Sequence, residues 1–245
     1  NSRFNRLFGL PPRKPESKIT QKFMDIAASI QEVTEEIMLK MAWHIHKVTG
    51  QDKLCLAGGV ALNCVGNGRI LRDGPFKDIW IQPASGDAGG ALGAALVVWH
   101  KYLGNNRVVD GVHDLQKASL LGPSYNDNYI ESFLKKQNIS YRRLGYNDIV
   151  EKASDLIIAG KVIGWFQGLL EFGPRALGSR SIIGDARNQG MQSKMNLKIK
   201  YRESFRPFAP TVLREKVNEW FQLDEESPYM LLVAGVKEEK RRNLS

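Results

Sequence analysis

The sequence predicts a mixed α/β fold, and two kinds of apolar pattern lead to that prediction. Residues 20–47 carry apolar side chains at steps of three and four residues, which is the period of an amphipathic helix. Elsewhere, short apolar runs such as KLCLA at 53–57 and KVIGWFQ at 161–167 alternate with helix-like segments. No internal repeat or low-complexity run interrupts this alternation.

The chain is long enough to form two domains. It has 245 residues, of which 42% are hydrophobic and 25% are charged, and this suits two medium-sized cores. We predict one domain at 1–105 and a second at 122–245, joined by a linker at 106–121 in which no helix or strand period is recognisable. Because the sequence starts at Asn1 rather than at a methionine, we expect a piece of a longer polypeptide.

The first half is predicted to contain a long helix and then two strand–turn–helix units. Consecutive prolines make residues 1–17 an irregular leader. The long helix is expected to end at Gly50, since glycine is a common C-terminal cap. A strand at 53–57 then leads through two glycines into a short helix, and a second strand at 76–83 leads through small residues into an Ala-rich helix at 84–103.

The second half is predicted to alternate between helices and strands once more. Helices are expected where polar and apolar residues recur at the helical period, and strands where apolar runs are short and compact. The predicted helices are 126–136, 147–159, 192–200 and 214–221, and the predicted strands are 140–144, 161–167, 208–213 and 229–236.

Charge points to an anionic ligand. The formal net charge is +9, and residues 175–214 hold nine Lys or Arg against only Asp185 and Glu203. Such an excess of positive charge favours docking of an anion.

The cysteines and the apolar runs indicate a soluble cytoplasmic protein. Cys55 and Cys64 have neither a zinc-site spacing nor a disulfide framework, so we expect both thiols to pack as small apolar groups in a reducing compartment. No run approaches the ~20 apolar residues of a membrane helix, and the first residues lack the pattern of a signal peptide.

Two glycine-rich turns are candidate ligand sites. In AGGVALN (57–63), Gly58 and Gly59 allow a ligand to approach the backbone, and Asn63 offers hydrogen bonds to a sugar or phosphate; the alternative is a tight turn alone. In SGDAGG (85–90), Asp87 is the only acid among small residues, which suits a cation or a ribose hydroxyl. The alternative for Asp87 is a helix N-cap.

The segment EFGPRALGSRS (171–181) presents two arginines from a stiff backbone. Pro174 fixes its own φ, and Gly178 permits a reversal of the chain. The planar guanidinium groups of Arg175 and Arg180 match the oxygens of phosphate or carboxylate two at a time.

Further arginines follow, and three acids lie among them. Arg187, Arg202 and Arg206 are additional candidates for binding an anion, and a solvated basic face is the alternative. We expect the acids to orient some of these cations, because clustered like charges repel one another. The three acids are Glu171, Asp185 and Glu203.

Four long motifs carry a resemblance to a known family. LCLAGGVALNC, WIQPASGDAGGALGAAL, GWFQGLLEFGPRALGSRSI and KYRESFRPFAPTVL resemble, in order, the carbamoyltransferases of the nodulation-protein and antibiotic O-carbamoylation type. The likeness runs from RLFGLPP to SPYMLLVA, which is nearly the whole chain.

The resemblance implies a two-module enzyme. Residues 1–105 would be the second half of an actin-like ATPase-type (ASKHA) domain, similar to that of tRNA threonylcarbamoyl-transfer proteins. Residues 122–245 would be a threonylcarbamoyl-AMP-synthase-like α/β domain, incomplete at its C-terminus. Carbamoyl phosphate and ATP would form a carbamoyl-adenylate there, and the carbamoyl group would pass to a hydroxyl of a small-molecule or oligosaccharide acceptor.

The resemblance also implies roles for single residues. A divalent, iron-type metal belongs to the family's acceptor site, although His44 and His46 do not match the family's pair of metal-binding histidines. The implied residues are Arg175, Arg180 and Arg206 for catalysis, Gly58, Gly59, Asn63, Arg187 and Arg202 for ATP or the intermediate, and Asp87 for the metal.

Two other functions remain open from the sequence. One is a basic nucleic-acid-binding or tRNA-modification module, against which stand aromatic residues that alternate with aliphatic ones as in a core. The other is a nucleotide-binding relative that lacks catalysis. We expect no nucleic-acid partner and no membrane partner, and the sequence does not indicate an oligomeric state.

Overall fold

Helices and two small sheets make up the computed structural model, which describes residues 2–111, 114–224 and 226–241. The mixed α/β class predicted from the sequence is confirmed. The strands are β1 (Lys53–Leu56), β2 (Asp78–Ile81), β3 (Ile163–Phe166) and β4 (Arg180–Ile183). The α-helices are α1 (Ser2–Phe8), α2 (Gln21–Thr49), α3 (Cys64–Asp73), α4 (Asp87–Val97), α5 (Asp127–Lys136), α6 (Tyr146–Ile158), α7 (Met191–Met195) and α8 (Val217–Trp220).

The long helix α2 packs against α3 beside a parallel pair of strands. It ends where the sequence predicts, because Gly50 adopts φ 63° and its N–H donates to the carbonyl of His46 at 2.8 Å. β1 and β2 run parallel with Leu54 opposite Ile79. Ala42 of α2 contributes to a buried cluster between the helices and this sheet. The other buried members of the cluster are Leu54, Ile70 and Phe76.

The second sheet is an antiparallel pair that ends at the arginine segment. β3 and β4 place Ile163 opposite Ile183 and Phe166 opposite Arg180. The helix α5 starts as predicted, because the side chain of Asn126 accepts a hydrogen bond from the N–H of Tyr129. Its polar cap satisfies one of the free N–H groups of the first turn.

The leader and the surroundings of Cys55 in β1 differ from the prediction. Residues 2–8 form the helix α1, which ends before Gly9 at φ 64°, so only the proline-containing part after it is irregular. Cys55 does not pack as an apolar group. Both Cys55 and its strand partner Trp80 are exposed, whereas Cys64 at the start of α3 is half-buried.

Two of the predicted strands are loops because they lack a strand to pair with. In 140–144, Tyr141 and Arg143 instead bind Glu131 of α5 through their side chains, at 2.7 and 3.2 Å. The segment 208–213 contains Pro210 and follows Pro207, and a proline offers no N–H to a sheet.

The apolar run 229–236 is also a loop, and it packs against the first half of the chain. Tyr229 and Leu231 form a buried cluster with Ala61 and Ile81. The wholly buried side chain of Asn67 donates to the carbonyls of Ala61 and Leu231 at 2.9 and 3.0 Å. The run is only partly buried, since Val233 and Val236 are exposed. The N–H of Val233 donates to the carbonyl of Cys64 at the start of α3, and Val236 forms one isolated antiparallel bridge with Phe221, so the predicted strand is wrong. The domain boundaries at 105 and 122 stay predictions.

No helix in the described ranges combines the length and the apolar content that crossing a membrane requires.

Gly68 provides a test of the contact between α3 and the 229–236 run. A Cβ atom at Gly68 would lie 2.6 Å from the carbonyl oxygen of Val233. We expect Gly68→Ala to lower the free energy of unfolding by about 1–3 kcal/mol, because the backbone of the run must shift. The measurement is urea-induced unfolding followed by circular dichroism.

Gly93→Ala is the matched control within α4. A Cβ atom at Gly93 meets nothing within 4 Å. This variant should gain up to about 1 kcal/mol from helix propensity. Equal stability of the two variants would contradict the close packing at Gly68.

Candidate functional site

The two glycine turns lie against each other. The N–H of Gly58 donates to the carbonyl of Ser85 at 2.9 Å, and Gly58 adopts φ 102°, a conformation that favours glycine. A Cβ atom on Gly58 or Gly59 would meet nothing within 4 Å. The outer side of the first turn is thus open space that a ligand can enter.

Asn63 is fixed by bonds within the protein. Its side-chain oxygen accepts from the N–H of Gly66 at 3.0 Å and so caps α3. The same amide exchanges hydrogen bonds of 3.0 and 3.1 Å with Gln31 of α2. A sugar or phosphate would therefore have to share Asn63 with these partners, and its ligand-binding role stays a prediction.

Asp87 lies at the first turn of α4. The N-cap position is Gly86, so Asp87 is the first helical residue and not the cap. Its exposed carboxylate accepts no hydrogen bond from the residues the structure describes. A carboxylate there is favoured by the positive end of the helix dipole.

A metal ion needs more ligands than Asp87 supplies. Within 2–111, 114–224 and 226–241, no three His, Cys, Asp or Glu side chains gather in an arrangement that could hold a metal. A divalent ion of the iron type takes several protein ligands. These residues therefore do not form a metal site by themselves, and Asp87 as a metal ligand stays a prediction.

A buried carboxylate organises the segment 171–181, which we call the arginine loop. Glu171 is only 8% exposed. Its Oε1 accepts hydrogen bonds from the backbone N–H groups of Leu177, Ser179 and Arg180, at 2.8, 2.6 and 3.3 Å. Burial alone would raise the pKa of Glu171, but these donors outweigh it and hold the pKa below its ordinary value.

The arginine loop packs on the second glycine turn. Gly173 adopts φ 131°, and a Cβ atom there would lie 3.5 Å from the Cβ of Ala84. The N–H of Phe172 donates to the carbonyl of Ser119 at 2.6 Å. These contacts fix the loop at its beginning, and Glu171 fixes it near its end.

Arg175 is directed toward the first glycine turn. One terminal nitrogen of its guanidinium lies 3.5 Å from the carbonyl oxygen of Leu62. Its Nε is buried and has no hydrogen-bond partner among the described residues. The hydroxyl of Ser85, in the second turn, is likewise buried without a partner. Unpaired buried donors are costly, so this junction is suited to an added oxygen acceptor.

Arg180 is bound by the backbone around it. Its guanidinium donates to the carbonyls of Gln167 at 2.7 Å, Ser179 at 2.9 Å and Gly168 at 3.2 Å. It also lies over the ring of Phe166, 3.5 Å from the centroid. A phosphate would compete with these carbonyls for the same N–H groups.

Arg187 is paired with Asp185, one of the three acids expected to orient some of the cations. Its Nε lies 2.9 Å from Oδ1 of Asp185 and a terminal nitrogen lies 2.8 Å from Oδ2. The arginine holds the pKa of the Asp185 carboxyl below its usual range. Glu203, in contrast, does not orient one of the candidate arginines, because it pairs with Arg13 of the leader.

The segment 201–206, which we call the basic loop, carries Arg202 and Arg206. Arg202 donates from Nε to the side-chain oxygen of Asn196 at 2.6 Å, and it lies over the ring of Phe208. The guanidinium of Arg206 is exposed and has no partner within the described ranges. No hydrogen bond or ion pair among those residues joins the basic loop to the arginine loop.

The structure thus brings Arg175 to the first glycine turn, and its loop packs through Gly173 on Ala84 beside the second turn. Arg187 and the basic loop make separate contacts. The sequence motifs do not reveal Asn196 and Gln192, whose amides bind the basic loop. An asparagine within a helical run, where it is a poor helix former, was the available signal.

Comparisons with known proteins point to one family. Residues 1–96 match the family described as Carbamoyltransferase N-terminus, and residues 154–245 match Carbamoyltransferase C-terminus. An uncharacterized protein of Synechocystis, sll1178, is 58% identical over all of this chain and 40% of its own length.

Two relatives have functional names. The nodulation protein NolO of Bradyrhizobium diazoefficiens is 42% identical over 93% of this chain and 41% of its own length. The 3'-hydroxymethylcephem-O-carbamoyltransferase of Streptomyces clavuligerus is 29% identical over 84% of this chain and 35% of its own length. The chain therefore spans well under half the length of these relatives.

Glu171→Gln tests the buried carboxylate of the arginine loop. We expect a loss of about 1–3 kcal/mol in unfolding free energy at pH 7, because the charged acceptor of three N–H groups becomes neutral. The folded-state pKa lies below the ordinary value of 4.5, so the charge contributes fully above about pH 4.5. The difference from wild type should shrink as the pH falls through the folded-state pKa.

The measurement is urea unfolding of both proteins between pH 7 and pH 3.5. Glu36→Gln is the control, since Glu36 is exposed and pairs only with Lys40 at the surface. A difference for Glu171→Gln that is constant with pH would refute the charged role of the carboxylate.

Proposed function

This chain belongs to the carbamoyltransferase family, and from that premise we propose that it forms part of an ATP-dependent O-carbamoyltransferase. Carbamoyl phosphate and ATP are the proposed donor substrates. The product of their reaction is a carbamoyl-adenylate, from which the carbamoyl group passes to a hydroxyl of the acceptor. Cytoplasmic location accompanies this proposal as a prediction.

The unpartnered side chain of Arg175 is the observation that links the proposal to particular residues. Arg175 brings a buried, unpartnered Nε to the junction of the arginine loop with the two glycine turns. A guanidinium held in this way suits a small dianion, since its N–H groups are fixed before the ligand arrives. Gly58 and Gly59, in the same turn as Leu62, have open space where a Cβ would lie.

The chemistry explains the need for fixed cations. A carbamoyl group is a weak electrophile because its nitrogen donates electrons into the carbonyl. Water first cleaves carbamoyl phosphate to carbamate and phosphate. A carbamate oxygen then attacks the α-phosphate of ATP and displaces pyrophosphate, which gives a carbamoyl-adenylate with AMP as the leaving group. Negative charge shifts between phosphoryl oxygens during these steps, and guanidinium groups stabilise it.

The other candidate residues take their proposed roles from their contacts. Arg206, whose guanidinium has no partner among the described residues, is a second ligand for donor phosphate. Arg202 and Arg187 are proposed for ATP, and each is already oriented by a side chain of this protein. Arg180 supports the loop from its base and reaches a ligand only by exchanging backbone partners.

The proposed acceptor is an alcohol of a small molecule or an oligosaccharide. One relative is named for a hydroxymethyl acceptor and another for nodulation. These names indicate the class of group that accepts the carbamoyl unit. The acceptor itself is to be found by testing alcohols of both kinds.

Arg175→Ala tests the proposed donor site. The assay follows pyrophosphate release from ATP in the presence of carbamoyl phosphate, with the longest natural polypeptide that contains this sequence. We expect the variant to lose at least about 100-fold in kcat/KM, because a fixed cation in a dry site contributes strongly to phosphoryl transfer.

Arg143→Ala is the matched control. It removes the same charge from an exposed arginine that pairs with Glu131 and Asp127. Its activity should equal that of wild type. No carbamoyl-phosphate-dependent pyrophosphate from the wild-type protein would disprove the proposed reaction, and equal activity of Arg175→Ala would disprove the assigned residue.

A further inference from the structure

One buried amide contacts both arginines of the basic loop. We propose that Asn196 is a positioning residue of the donor site, which fixes Arg202 and Arg206 relative to each other. This inference rests on the proposed function, because that function assigns the donor phosphate to Arg206 and ATP to Arg202 at one donor site. Nothing in the sequence motifs discussed above assigns a role to Asn196.

Asn196 uses both ends of its amide on the basic loop. The residue is 0% exposed. Its Nδ2 donates to the carbonyl of Ser204 at 3.1 Å and to that of Arg206 at 2.7 Å. Its Oδ1 accepts from Nε of Arg202 at 2.6 Å. One side chain therefore binds the guanidinium of one arginine and the backbone of the other.

The backbone of Asn196 closes the same turn. Its carbonyl accepts from the N–H of Arg202 at 3.1 Å. The loop turns back at Tyr201, which adopts φ 49° in the left-handed region. Without the buried amide, two carbonyls and one guanidinium nitrogen of this turn would lose their hydrogen-bond partners. The geometry of the turn therefore depends on Asn196.

Two further side chains hold the basic loop from other directions. Gln192, one helical turn before Asn196 in α7, donates from Nε2 to the carbonyls of Phe205 and Arg206, each at 3.1 Å. Glu16 of the leader accepts from the N–H and the hydroxyl of Ser204 at 2.9 and 2.8 Å. The backbone from 204 to 206 is thus bound on both sides.

Of the two arginines of the basic loop, only Arg206 has a guanidinium without a partner in the described ranges. Its backbone carbonyl accepts from Asn196 and from Gln192. A cation that is free at its tip and fixed at its base suits an anion that arrives from solvent, because less side-chain freedom is lost on binding. Asn196 therefore acts on the ligand through Arg206 and Arg202.

The rival role for Asn196 is structural support alone, and Asn67 provides the comparison. Asn67 is also 0% exposed and also donates from Nδ2 to two carbonyls, those of Ala61 and Leu231. Loss of either amide leaves buried carbonyls unpaired and lowers stability. Of these two asparagines, however, only Asn196 is bonded to the basic loop. A mutation of Asn196, and not of Asn67, should therefore be coupled to a mutation of Arg206.

A double-mutant cycle separates the two roles. The probe is carbamoyl phosphate, and its dissociation constant is measured by calorimetry on the longest natural polypeptide that contains this sequence. Asn196→Asp keeps the volume and the acceptor for Arg202 but turns an oxygen toward the carbonyls of Ser204 and Arg206. We expect it to weaken binding by about 10-fold alone, and by less than about 2-fold in the Arg206→Ala background.

Two companion variants keep the test decisive. Gln192→Ala changes an exposed residue, so it should fold normally, and we expect about 3-fold weaker binding that also vanishes in the Arg206→Ala background. Asn67→Asp should lower the thermal midpoint as Asn196→Asp does. Its effect on binding, if any, should be the same with and without Arg206.

The outcomes distinguish the inference from the proposed function. Suppose that wild type binds carbamoyl phosphate and that the effect of Asn196→Asp, or of Gln192→Ala, simply adds to the effect of Arg206→Ala. This result would overturn the positioning role and leave the proposed donor site intact. Wild-type protein that binds no carbamoyl phosphate would overturn both. The inference is supported if Asn196→Asp and Gln192→Ala weaken binding when Arg206 is present and not in the Arg206→Ala background.

Discussion

The candidate site depends on one buried carboxylate. Glu171 collects three backbone N–H groups of the arginine loop on a single oxygen, which fixes a segment that belongs to no regular element before β4. A carboxylate suits this task, since backbone donors in a loop have no helix or sheet to satisfy them. With the loop fixed and Gly173 packed on Ala84, Arg175 extends to the carbonyl of Leu62 in the first glycine turn.

An excess of arginine in the sequence does not by itself make a cationic ligand site, because several of these guanidinium groups already bind acceptors of the protein. Arg180 is bound by carbonyls, Arg187 by Asp185, and Arg202 by Asn196. Each has a surrounding acceptor that restricts where its remaining N–H groups point. Arg175 and Arg206 retain N–H groups without a partner in the described ranges. A phosphorylated ligand therefore gains the most binding free energy from hydrogen bonds to these two cations.

Local patterns predict helices better than strands in this protein. The long helix was predicted because its period extends over many residues and Gly50 caps it, and α5 was predicted because Asn126 begins it. Strands depend on partners elsewhere in the sequence, so the apolar run 229–236 was predicted as a strand although it is a loop with one isolated bridge, Phe221–Val236. In the site, the pair Asp185–Arg187 lies two residues apart and was predictable. The contact of Glu203 with Arg13, across most of the chain, was not.

The bridge that Asn67 makes from Ala61 to Leu231 joins an early segment of the chain to a very late one. A ribosome releases the polypeptide from its N-terminus onward, so α3 emerges long before its partner does. Until residues 229–233 arrive, the side of α3 that carries Asn67 and Gly68 faces water. The first glycine turn therefore gains this contact only after the 164 residues that separate Leu231 from Asn67 have been synthesised, and termination before residue 229 leaves the turn without it.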